Sequence, residues 1–116
     1  KLGLRNKIMR EIAEKDWKYF SSLKVVFLNR FAEETLSKIS KIIASKDIES
    51  KHEKYIKIYR YVEKRDKILA DDLSDFRRSN AKLKILVIYR MGLIEPEEFN
   101  QFSEDVKDFV RKCNEL

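Results

Sequence analysis

Between residues 50 and 91, side chains recur at alternating spacings of four and three: Tyr55, Tyr59, Val62, Asp66, Leu69, Leu73, Phe76, Asn80, Leu83 and Val87. Only Asp66 and Asn80 in that series are polar. This is the period of a helix that buries one stripe against a neighbour. The repeat holds its phase through Asp71-Asp72-Leu73-Ser74, and neither Gly nor Pro interrupts it before Gly92. It predicts one continuous helix from about 50 to 91, packed as a coiled-coil-like arm. The alternative is a kink at 71–74, with Asp72 capping a separate helix. Ser50-Lys51-His52-Glu53 forms a capping-box pattern at the start, with Asp47 as a competing cap. Gly92, just after Arg90, is suited to the stop.

Segment 4–46 also reads as helix. Ile8, Met9, Ile12, Tyr19, Phe20, Leu23, Val26, Phe27 and Phe31 share one side at three- and four-residue spacing. Further on the stripe rotates to Leu28, Thr35, Ile39, Ile42 and Ile43, which implies a curved helix or a break. Asp16, a good N-cap residue that otherwise falls on the apolar side, is the candidate breakpoint. A last helix is expected from Glu95-Pro96-Glu97-Glu98, where proline fits the first turn and the glutamates face the positive helix end. Its stripe is Phe99, Phe102, Val106, Phe109, Val110 and Cys113.

These elements predict an all-α chain. The expected architecture is an antiparallel helical bundle of two long helices, the first broken near Asp16 if it is broken at all, plus a shorter C-terminal helix. Short connections and the lack of repeats or linkers make 1–116 a single helical domain. Composition agrees: two glycines and one proline leave few residues for the turns of a multi-stranded sheet, and 40% charged residues suit exposed helical sides.

The net charge of +6 is uneven. Residues 93–116 hold three basic and seven acidic side chains, whereas the first 92 hold 23 and 13. Such a body can attract an anionic partner or its own acidic segment. No apolar run approaches the roughly 18 residues of a membrane span, so no membrane partner is expected. A lone cysteine, Cys113, on the apolar stripe of the last helix fits a buried thiol in a reducing, cytoplasmic setting.

The sequence offers little for catalysis. One His and one Cys cannot assemble a zinc set, and the acidic run at 71–75 lacks the glycine and spacing of a calcium loop. No phosphate loop is present, because Gly3 and Gly92 stand alone. Neither cofactor, metal nor small-molecule substrate is therefore expected. Asp66 and Glu34 fall on expected inward sides, where they read better as one polar layer with Arg30 and Asn80, fixing helix register, than as an acid–base pair.

Two surface features remain. Lys57, Arg60, Lys64 and Lys67 lie nearly opposite the Tyr55/Tyr59/Val62 stripe, and Arg77 and Arg78 continue the positive character. Such a stripe suits an RNA or DNA backbone, although an amphipathic helix puts charge there in any case, and Glu53–Lys57 and Glu63–Lys67 are placed to pair. In the run 83–89, Ile85, Ile88 and Tyr89 point away from the heptad seam, so this segment needs cover on a second side. The last helix can supply it; otherwise these three residues contact another protein. The sequence thus reads as a non-catalytic helical interaction module that self-associates as a homodimer or docks on a partner protein. The alternative is a basic bundle that binds nucleic acid non-specifically.

Overall fold

The computed structural model describes residues 11–115, and within them every regular element is a helix. The order is α1 (Glu14–Ser22), α2 (Lys24–Ala44), α3 (Lys51–Asp72), α4 (Ala81–Arg90), the single turn α5 (Pro96–Phe99) and α6 (Glu104–Asn114). Among the described residues no helix is long and apolar enough to cross a membrane. The radius of gyration is 17.5 Å, against about 13 Å for a compact chain of this length. The extents of 54 × 27 × 24 Å show why: a rounded body carries a protruding arm.

Residues 4–10 of the expected first helix lie outside the described residues. The rest is interrupted twice: residues 11–13 are not helical, so α1 opens at Glu14, two residues before Asp16 and with Ala13 rather than Asp16 at its cap, and a second interruption falls at Leu23. Ser22 Oγ donates to Tyr19 O at 2.6 Å, and the Leu23 N–H turns to Phe20 O instead. A hydroxyl that takes the i−3 carbonyl bends a helix in this way. Asp16 sits within the first turn of α1 and is buried. Its carboxylate accepts the Ser103 N–H at 2.9 Å and the Ser103 O–H at 2.6 Å. Ser103 is itself the N-cap of α6, so one carboxylate ties the start of α1 to the start of α6.

The expected rod over 50–91 is two helices. Ser50 caps α3 as its pattern foretells, its Oγ accepting the Glu53 N–H at 3.2 Å. The helix then stops at Asp72, and residues 73–80 form a loop in which Asp75 adopts a left-handed φ of 54°. Asn80 fastens that loop: Oδ1 accepts the Arg77 N–H at 2.9 Å and Nδ2 donates to Asp75 O at 2.8 Å. Asp and Asn are the residues that bond their own backbone and tolerate this conformation. The heptad phase survives through Leu73 and Phe76 only because both still turn inward, Leu73 buried and the Phe76 ring 4.8 Å from that of Phe20.

Gly92 stops α4 as expected. At φ 76° its N–H reaches Tyr89 O while the Leu93 N–H reaches Ile88 O, a Schellman ending. The expected last helix is divided. Pro96 opens the turn α5, with Glu98 Oε1 accepting the Glu95 N–H, but the chain unwinds at 100–103 so that Ser103 can cap α6 and meet Asp16.

Phe20, Phe27, Ile85, Ile88, Phe102, Val106, Phe109 and Val110 form the centre of the body. Polar clamps close its edge. Arg30 donates to Leu93 O and to both oxygens of Glu98, and Tyr19 O–H donates to Glu98 O. Arg90 donates to Asn114 Oδ1 and Cys113 O, satisfying carbonyls at the end of α6.

The hydrogen bonds from Arg30 hold the Glu98 carboxyl below its ordinary value of 4.5, against the opposing effect of burial. A carboxylate with a lowered folded pKa stabilises fully above its unfolded value and loses that contribution as pH falls through the folded one. Thermal unfolding measured from neutral pH down to about 3 should therefore show a decline below 4.5 that Glu98→Gln flattens.

Candidate functional site

The body accounts for nearly all the deep burial, and α3 contributes none: not one of its 22 residues is buried. It lies along the outer part of α2 and is held there by polar latches. Near the loop, Lys54 Nζ donates to Ile43 O at 2.7 Å. Near the body, Arg65 stacks 3.6 Å over the Phe31 ring and donates to Phe31 O, to Thr35 Oγ1 and to Glu34. Between the latches Ile58, Tyr61 and Val62 are only half-buried, and Ile42 is the sole buried apolar residue this far out on α2.

The hairpin of α2 and α3 has two dissimilar sides. On one, the α2 residues Val25, Asn29, Ala32, Leu36, Ile39 and Ile43 repeat at four and three, as do Tyr55, Tyr59, Val62, Asp66 and Leu69 on α3. A groove of about 440 Å³ runs between the body-side halves of the two stripes, with Asn29, Ala32 and Leu36 on one wall, Val62, Asp66 and Leu69 on the other, and Arg65 and Thr35 between them. The large residues of that side are unevenly covered: Leu36 is 62% exposed, Ile43 58%, Tyr55 65% and Tyr59 55%, while Ile39, Val62 and Leu69 are half-buried. The part of the expected α3 seam nearest the α2–α3 loop, Tyr55 and Tyr59, therefore points away from the chain's own core, whereas Leu69 at the other end packs against it. An isolated exposed leucine is ordinary; two aligned heptad stripes side by side are not.

The other side is basic. A cleft of about 600 Å³ between the helices has Ile42, Ile56 and Tyr61 on its walls, and Lys38, His52, Lys57, Arg60 and Lys64 around it together with the acidic Glu53. Lys67 continues the row into a shallower recess that it shares with Lys64 and Asp71. Among the described residues neither Glu53–Lys57 nor Glu63–Lys67 closes as an ion pair. Arg77 and Arg78 leave this row. Arg77 is bound by Asp75, whose pKa its hydrogen bond lowers. Arg78 makes a two-pronged pair with Glu14 at 3.0 Å beside Trp17, and that hydrogen bond likewise lowers the Glu14 pKa.

Ile85 and Ile88 are fully buried in the body, and the Tyr89 ring lies 4.7 Å from that of Phe99. The second apolar side of α4 is thus covered from within, by α5 and α6, at Ile85 and Ile88, and Tyr89 is half-buried at its edge. The anticipated polar layer is also dispersed. Arg30 pairs with Glu98 and Glu34 with Arg65, while Asn80 holds the loop and Asp66 stands exposed on the apolar side of the hairpin. Among the described residues no group of three or more His, Cys, Asp or Glu side chains could hold a metal ion. Cys113 is buried and unpaired with another cysteine.

Leu36 is the residue that reading the sequence passes over, and Ile43 is read there as part of a turning apolar stripe without being assigned to a surface. Their signal is the 25-29-32-36-39-43 repeat, obscured by polar Asn29 and small Ala32 and by the stronger buried stripe of Phe27 and Phe31 on the same helix. Compared with models of protein families, with curated proteins and with solved structures, the chain matches none.

Burial separates the two sets of residues in a denaturant titration. Ile85→Glu forces a charge into a site with 0% exposure and should cost several kcal/mol, about 3–5, enough to unfold a marginal domain. Tyr59→Glu, at 55% exposure, should stay within roughly 0.5 kcal/mol of the parent when both are titrated at a dilution that leaves the chain monomeric.

Proposed function

We propose that this chain is a non-catalytic interaction module whose working surface is the apolar side of the α2–α3 hairpin. The observation that carries the reading is a helix of 22 residues with none buried, beside a second exposed heptad stripe. Full burial of a large apolar side chain is worth roughly 1.5–3 kcal/mol. Leu36, Ile43, Tyr55 and Tyr59, 55–65% exposed, together offer a little over twice that, about 3.5–7 kcal/mol, which reaches only the lower end of the ~4–15 kcal/mol that association costs. A partner that lays helices along this side would complete an antiparallel helical bundle, with the protein acting through contact and holding no cofactor. Its setting would be the cytoplasm, where an unpaired buried thiol stays reduced.

Recovery of the untagged protein from its native cell tests this. The wild-type chain is expected in a complex, with itself or with another protein, that the double variant Tyr55→Glu/Tyr59→Glu no longer forms while keeping its far-ultraviolet circular dichroism. A chain recovered alone and monomeric in both forms rejects the reading.

A second reading has its own observation. Lys38, Lys57, Arg60 and Lys64 gather around one cleft beside the Tyr61 ring, which suits a nucleic-acid backbone approached through phosphate contacts. A generic oligonucleotide should then bind at low salt and lose affinity steeply by moderate salt, and Lys57→Glu/Arg60→Glu/Lys64→Glu should abolish the binding. Absence of binding at low salt eliminates it.

A further inference from the structure

We infer that the apolar side of the hairpin is covered by the same side of a second copy of this chain, the two hairpins running in opposite directions to complete a four-helix bundle. This deepens the interaction reading above and rests on it. The shape required of the occupant is specific: two adjacent helices, each with a stripe at four-three spacing, of matching length. This chain supplies that shape itself. Residues 25–43 of α2 span roughly 27 Å, and two helices are about 20 Å across, so a pair of copies would cover roughly 1,100 Å² in all. That clears the approximately 1,000 Å² expected of a specific interface.

The sequence along the stripes selects the relative direction. The latches set Lys54 beside Ile43, and Arg65 beside Phe31 and Thr35. Val62 is therefore level with Leu36, Tyr59 with Ile39, and Asp66 with Ala32. Bulk collects toward the loop, in Ile39, Ile43, Tyr55 and Tyr59; toward the body the stripes carry Asn29, Ala32 and Asp66 before Val25 and Leu69. Two copies pointing the same way would stack bulk on bulk and bring two Asp66 carboxylates into one layer, where like charges repel. Reversal about an axis through Leu36 and Val62 sets Ile39 against Ala32 and Ile43 against Asn29 on α2, large on small, while on α3 it sets Tyr55 against Leu69. It also brings the Tyr59 hydroxyl to Asp66, where the phenol can donate to the carboxylate. A single polar position in an apolar seam commonly fixes register in this way. The basic cleft stays on the outside of the bundle, in water.

Sedimentation equilibrium of the purified chain should report a dimer, and Tyr59→Glu should weaken it roughly 100-fold or more. Direction is read by oxidative cross-linking of exposed positions, with Cys113 buried and silent. Leu36→Cys should link to itself across the axis, and Ile43→Cys should link to Asn29→Cys when the two variants are mixed. Linkage of Ile43→Cys to Tyr55→Cys instead would overturn the reversed arrangement. A purified chain that stays monomeric to about 100 µM overturns self-pairing. If that monomer still joins another protein through Tyr55 and Tyr59, the interaction reading stands without it; if it joins none, both fall.

Discussion

Asn80 uses both ends of its amide to hold the loop between α3 and α4, and much of the molecule follows from that reversal. Were the helix continuous past Asp72, Ile85 and Ile88 would travel outward on a rod some 60 Å long at 1.5 Å per residue. The turn instead delivers α4 into the body, where both isoleucines are buried beside α6. The same turn deprives α3 of cover. The apolar residues that could have packed on it are spent at the other end of the chain, around Phe20, Phe27 and Phe109. One compact region and one underpacked arm are two results of a single local event.

The arm and the body are held by different physics. In the body, apolar contact is dense and the polar groups at its edge are satisfied, Asp16 by Ser103 and Glu98 by Arg30. Among the described residues no buried side-chain nitrogen or oxygen lacks a partner. In the arm, Arg65 does much of the joining through a stacked guanidinium and three acceptors, supported by Lys54 at the far end. Directional bonds fix how α3 lies on α2 with little apolar burial between them. They leave the hydrophobic stripes free for a different neighbour.

Features governed by nearest neighbours were legible in the sequence: the Ser50 cap, the Gly92 stop, the Pro96 start and the helical character of each segment. Each depends on a few adjacent residues and the backbone they prefer. The continuity of 50–91 was not, because a heptad count registers only which side chains point inward. Leu73 and Phe76 still do so from a loop. Asp75 and Asn80 carried the contrary signal, since both favour turns. The site was the least legible part. Periodicity identifies a stripe that needs burial but not what buries it, so Ile85 and Ile88 looked available while Tyr55 and Tyr59 looked internal. Asp16 shows the same limit: its carboxylate answers to Ser103, 87 residues away.

An arm joined by latches also divides the molecule into regions of unequal resistance to opening. Hydrogen exchange follows local free energies, and a helix with no buried residue releases its amides without unfolding the rest. The α3 amides then exchange well ahead of those in α6, whose Val106, Phe109 and Val110 are enclosed. Anything that settles on the arm would slow exchange there and leave the body's pattern as it was, a footprint readable amide by amide.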